Sequence, residues 1–110
     1  MKVTAKGHTT IIKDSNDDLN SLVSKLTHEI NTFKEQNVII DLVHYGVIDK
    51  KELLLLKPLS NAHKKNKKSF VVAVSATDFN AFTGGFIVVP SVLEAHDIIE
   101  MEEIERDLGF

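Results

Sequence analysis

Histidine can act as an acid, a base or a metal ligand, and this chain has five histidines whose spacing indicates no common site. They stand at positions 8, 28, 44, 63 and 96. Since they form no His-x-His or His-x-x-x-His pair, and no carboxylate completes a local triad, the sequence predicts no metal site. His44 precedes Tyr45 in a link after a predicted strand, where strand ends often face a binding site. We therefore single out His44, although a surface loop position is the commoner role for such a residue.

Other chemistry is equally sparse in the sequence. The chain has no cysteine, which excludes a thiolate metal site, a disulfide and a cysteine nucleophile. Gly84-Gly85 lacks the flanking residues of a Walker loop or of Gly-x-Gly-x-x-Gly. No nucleophile, base and orienting group occur together, unless residues distant in sequence converge in the fold. We therefore expect no enzymatic activity and no cofactor.

Length and composition indicate one globular unit. The 110 residues are enough for a single core, so we expect one domain over 1–110. An apolar fraction of 43% with 26% charged residues is ordinary for a soluble protein. No apolar run approaches the roughly 18 to 20 residues that span a bilayer, and the first residues lack the apolar region of a signal peptide. The sequence thus predicts a cytoplasmic protein without membrane association.

The charges are unevenly distributed along the chain. Seven lysines lie between positions 49 and 68, whereas seven carboxylates lie between 94 and 107. Such polarity favours electrostatic selection of partners. The lysines at 64, 65, 67 and 68 follow a helix, where cations suit the negative end of the dipole, and we interpret them with His63 as a solvated helix end. Nucleic-acid binding is disfavoured because no aromatic residues are interleaved with them.

The apolar pattern predicts strands alternating with helices. Strands are expected at 3–6, 8–13, 38–42, 70–74 and 86–89, with a turn at Gly7, and the last three are expected to be buried. Helices are expected at 17–35, from Asp49 onward and from Ser91 onward, each opened by a capping-box pattern, the first of which begins at Ser15. The apolar face of the second helix is expected to consist of Leu53 to Leu56, Leu59 and Ala62, and that of the last helix of Val92, Ala95, Ile99, Ile104 and Leu108. Pro58 should kink or break the second helix. This order predicts an α/β fold with a mixed, mostly parallel sheet of four to five strands and about three main helices.

Asp41-Leu42 closes the third predicted strand, and Asp49 opens the following helix with Leu53 four residues later. With these residues the chain resembles the STAS domain, the fold of anti-sigma factor antagonists, over nearly its whole length. In that family a strand ends in Asp-Leu and the next helix opens with Asp-Ser-Ser/Thr-Gly-Leu, a pattern that aligns here without a gap. Val89-Pro90-Ser91 resembles the family's last strand running into its final helix, and the tail 101–107 resembles an ending found on some members in the Bacteroidetes.

Two departures from the family change what the resemblance implies. Lys50 and Lys51 stand in place of the hydroxyl pair that includes the phosphorylated serine, and an amine cannot accept that phosphate by the same chemistry. Selection of the lysine pair for a function, and drift after selection on the serine ended, are two explanations that the sequence leaves equally open. The second departure is the short segment 76–85 in place of a full helix. There we expect Phe79 and Phe82 to be buried in one helical turn.

The resemblance implies a degenerate STAS domain that acts as a non-catalytic protein-interaction module with its phosphorylation switch lost. The partner would be similar to an anti-sigma factor or a signalling assembly. One alternative is a small-ligand domain that binds a nucleotide or a lipid under the 75–85 segment, and another is a structural homodimer. The predicted partner-binding residues are His44, Tyr45, Asp49, Lys50, Lys51, Glu52 and Leu54.

Overall fold

A mostly parallel β-sheet organises the chain. The computed structural model describes residues 1–14, 18–46, 48–75 and 85–109. Within them the strands lie in the order β1-β2-β3-β4-β5, with β1 antiparallel to β2 and the others parallel. Their bounds are β1 Lys2–Lys6, β2 Thr9–Lys13, β3 Asn37–Asp41, β4 Phe70–Ala73 and β5 Ile87–Val89. The predicted α/β fold class is confirmed, and Gly7, at φ 59°, forms the expected turn between β1 and β2.

Helices cover both faces of the sheet. Those in the described residues are α1 Leu19–Glu29, α2 Lys50–Leu53, α3 Lys57–Lys65 and α4 Val92–Asp107. The N-cap side chains of Asp18, Asp49 and Ser91 accept backbone N–H groups at 3.1, 3.0 and 3.2 Å. These caps satisfy donors that the first helical turn leaves unpaired. None of these helices is both long and apolar enough to span a membrane.

The first two helical predictions differ from the structure in extent. α1 is shorter than the predicted 17–35 and passes into a 3₁₀ turn at Ile30–Phe33. Ser15 of the predicted capping box lies outside the described residues, as do Phe79 and Phe82. The predicted break near Pro58 is confirmed, because a 3₁₀ turn, Leu54–Leu56, separates α2 from α3 and the proline lies in the first turn of α3. A proline there costs no helical hydrogen bond.

Side chains of β3 point alternately to the two faces of the sheet and contribute to two separate apolar clusters. Val38 and Ile40 pack in the larger cluster, with the buried leucines of α1 and of the 50–65 helical run. Ile39 points to the opposite face and packs with Ala95 and Ile99 of α4. Side chains alternate between the faces of a strand, so a strand covered on both faces is apolar throughout.

Two predictions of burial are wrong. β5 was expected to be a buried strand, but it is the edge of the described sheet, and its Ile87 is 36% exposed. On α4 the predicted apolar stripe ends at Ile99, because Ile104 and Leu108 are 58% and 67% exposed. The step of five residues from Ile99 to Ile104 turns the helix by about 140° past the buried face, at about 100° per residue.

Candidate partner-binding surface

Two aspartates at the carboxyl ends of neighbouring strands hold the link after β3. Asp14 follows β2 and Asp41 ends β3, and these strands are parallel neighbours with Lys13 opposite Asp41. The Asp41 side chain accepts the Val43 N–H at 3.1 Å, and the Asp14 carboxylate accepts the Tyr45 hydroxyl. Both carboxylates are buried. The 3₁₀ turn Val43–Tyr45 is thereby attached to the sheet at each end.

Asp14 supports the candidate site, a role that was not predicted from the sequence. Its carboxylate is 3.5 Å from the Met1 amine as well as bonded to Tyr45. The available signal was an acidic residue at the end of each of two predicted neighbouring strands, since such residues meet at one edge of a parallel sheet. The Tyr45 side chain, predicted to bind a partner, therefore also positions the link, and its exposure is only partial.

The start of α2 presents its charged residues to solvent. Ile48 is buried and anchors the backbone, and Asp49 is extended, at φ −84° and ψ 166°, as an N-cap residue should be. Lys50 and Lys51 occupy the first helical turn, and both are exposed. Cations are disfavoured at the positive end of a helix by about 0.3–1 kcal/mol each. The local fold thus gives no reason for this pair of lysines.

Two leucines beside the lysines are exposed, which corrects a prediction. The pattern placed the four leucines 53–56, together with Ala62, on the buried face. Leu53 and Leu56 are fully buried, but Leu54 and Leu55 are 36% and 38% exposed, and Ala62 is also exposed. A helical turn can bury only every third or fourth residue against one sheet.

Exposed residues of the link after β3, of the N-cap position and of the helical segment that follows are together called the docking surface. They are close in sequence, and the buried Ile48 separates His44 from the others. Leu55 was not among the predicted partner-binding residues, and we include it because its side chain is exposed. The docking surface consists of His44, Asp49, Lys50, Lys51, Glu52, Leu54 and Leu55.

The histidines divide differently from the prediction. His44 is exposed on the link, but His63, expected in a solvated run, is 1% exposed. Its Nε2 contacts the Gln36 carbonyl, and its ring is tilted against Phe70 at 6.2 Å between centroids. Burial lowers the pKa of His63 from 6.5, nearby Lys68 adds to this effect, and the bond to Gln36 opposes it. Neutral His63 is a core residue of α3.

The described residues contain no group of three histidines or carboxylates able to hold a metal ion. Compared with known proteins, the chain matches no family model and no curated protein sequence.

Proposed function

We propose that this chain is a non-catalytic protein-interaction module that binds an acidic partner protein through the docking surface. The observation that carries the proposal is the pair Lys50 and Lys51 beside the exposed Leu54 and Leu55, on a helix start held by its N-cap. Protein interfaces commonly have an apolar core with a polar rim, and charged residues at the rim contribute mainly to orientation and specificity.

The docking surface carries the carboxylates of Asp49 and Glu52 as well as two lysines, and Asp49 is engaged as the N-cap. We infer an acidic partner from the lysine pair in the first turn of α2. The two lysines stand where the helix dipole disfavours them, so a carboxylate-bearing partner would relieve an existing repulsion. Leu54 and Leu55 keep about a third of their surfaces in water and would lose it against an apolar patch on the partner. The anchored link further favours binding, because a fixed backbone loses little entropy on association.

The resemblance to anti-sigma factor antagonists supplies the class of partner that we propose. In that family a phosphorylated serine in this region expels the partner, and here amines occupy the positions. Binding would then be constitutive and set by the abundance of the partner. Introducing negative charge at Lys51 would imitate the phosphorylated state and weaken the complex.

A photo-crosslinking residue at position 55 tests the proposal in the source cells. We expect Leu55→benzoylphenylalanine to give a crosslinked product with another protein, whereas the same residue at exposed Asn31 should not give it. Mass spectrometry of the product identifies the partner. Absence of a product specific to position 55 would contradict the proposed surface.

The homodimer is a second candidate, favoured by exposed apolar residues on the outer side of α4. Leu93, Met101 and Ile104 are between 58% and 73% exposed and lie within an arc of about 80° on that helix. A dimer through this face would show as a mass that halves on dilution in light scattering. A crosslink from position 55 to a second copy would instead indicate self-association through the docking surface.

A further inference from the structure

A cationic cleft lies at the end of the sheet opposite to the docking surface. It is bounded by the residues after α3, the amino-terminal ends of β4 and β5, and the last turns of α4, and its volume is about 610 Å³. Clefts that bind small molecules commonly span about 300–1,000 Å³. The charged side chains that line it are Lys64, Lys67, Lys68, Arg106 and Glu102.

We propose that this cleft binds a small molecule through a phosphate group. The described lining residues include four cationic side chains and only one carboxylate. Arginine offers a planar fork to phosphate oxygens and lysine offers a compact charge, so their combination suits a phosphate better than a neutral ligand. Phe70 and Ile87 supply an apolar wall beside the charges, which gives room for the organic part of the molecule.

Arg106 is held in place by neutral groups. Its Nη1 donates to the Ser69 hydroxyl at 3.0 Å and its Nη2 donates to Asn37 Oδ1 at 3.2 Å. Both acceptors are buried, and no carboxylate of the described residues pairs with the guanidinium. Arg106 therefore keeps three of its five N–H groups for another acceptor. An oriented arginine without a carboxylate partner, at the wall of a cleft, is preorganised for an anion.

The backbone at Lys67 supports the same inference. Lys67 has φ 59°, in the left-handed region, where the residue after a helix is usually glycine. Its N–H donates to the Lys64 carbonyl at 2.9 Å, and the Lys68 N–H reaches the His63 carbonyl at 3.4 Å, which closes the helix end. A lysine is strained in this conformation, and its place in the lining of the cleft gives a reason for a lysine rather than a glycine at this position.

Lys64 fixes the remaining wall of the cleft. Its Nζ donates to the Gly85 carbonyl just before β5 and so ties the end of α3 to the edge strand. The lysine run that the sequence predicted to be a solvated helix end is thus partly engaged in tertiary structure. Lys65 is exposed and does not line the cleft, which makes it a matched control for charge.

Isothermal titration calorimetry with pyrophosphate, and separately with ATP, at constant ionic strength tests the proposal on the full chain. Wild type should bind at least one of the two probes. Lys67→Gly, which the helix end tolerates, should weaken binding about tenfold, as expected for one charged hydrogen bond. Lys65→Gln, which removes the same charge outside the cleft, should change the affinity less than about twofold.

Three results would overturn the inference. They are the absence of binding to both probes, an equal loss in Lys65→Gln and Lys67→Gly, or tighter binding of a short single-stranded RNA that is insensitive to Lys67→Gly. The Lys50→Glu/Lys51→Glu variant should bind the probes like wild type, because those residues lie outside the cleft. Failure of this cleft and failure of the docking surface are therefore separate outcomes.

Discussion

Replacing Lys67 by glycine should make the protein more stable. The left-handed conformation costs an ordinary residue about 1–2 kcal/mol, and Lys67 adopts it at φ 59°. Glycine avoids this cost but loses about 0.5–1 kcal/mol of additional backbone entropy on folding. From the middle of each range, the net expectation is a free energy of unfolding higher by about 0.75 kcal/mol. At about 4–8 °C per kcal/mol for a chain of this size, Tm should rise by about 3–6 °C.

Thermal unfolding followed by circular dichroism measures this change. Lys65→Gly is the matched control, because it removes the same charge from a position in the helical conformation of α3. There glycine should lower the stability by about 0.5–1 kcal/mol. Repeating both scans in high salt separates the backbone effect from relief of repulsion among the lysines. A Tm of Lys67→Gly at or below that of wild type would refute the argument from backbone conformation.

Two further predictions concern buried polar groups. Because the pKa of His63 is lowered in the folded state, the unfolded chain binds its proton first. The free energy of unfolding should therefore fall as the pH decreases below about 6.5, by at most about 1.4 kcal/mol per pH unit. Measured by urea unfolding, this pH dependence should be weaker in His63→Gln than in the control His28→Gln. Tyr45→Phe removes the hydroxyl that the buried Asp14 accepts, which should cost about 1–2 kcal/mol. An unchanged urea midpoint in Tyr45→Phe would show that this bond does not hold the link.

Local signals predicted the fold because each acts within a few residues. The caps at Asp49 and Ser91 and the break before Pro58 depend on residues three or four positions apart, and the structure shows each of them. The continuous apolar run of β3 likewise indicated a strand covered on both faces. These features need no knowledge of which elements meet in space.

The features that the sequence did not reveal depend on distant contacts. The burial of His63 was not predicted, because the lysines that follow it indicated a solvated helix end. Leu56, Leu59 and His63 lie on one helical face, and this spacing could have indicated burial. Arg106 gave no signal, because its partners Ser69 and Asn37 are 37 and 69 residues away. A cationic cleft built from the ends of two helices is visible only once those ends are brought together.

The most direct test of binding through the docking surface is the affinity of the crosslinked partner for the purified chain. Biolayer interferometry would compare wild type with Lys50→Glu/Lys51→Glu and with Lys25→Glu/Lys34→Glu, which makes the same charge change at exposed sites outside the docking surface. Glutamates suit the first turn of a helix, so the first variant should remain folded. We expect the first variant to lose at least about tenfold in affinity and the control to stay within about threefold. Equal affinities for all three proteins would contradict binding through the docking surface.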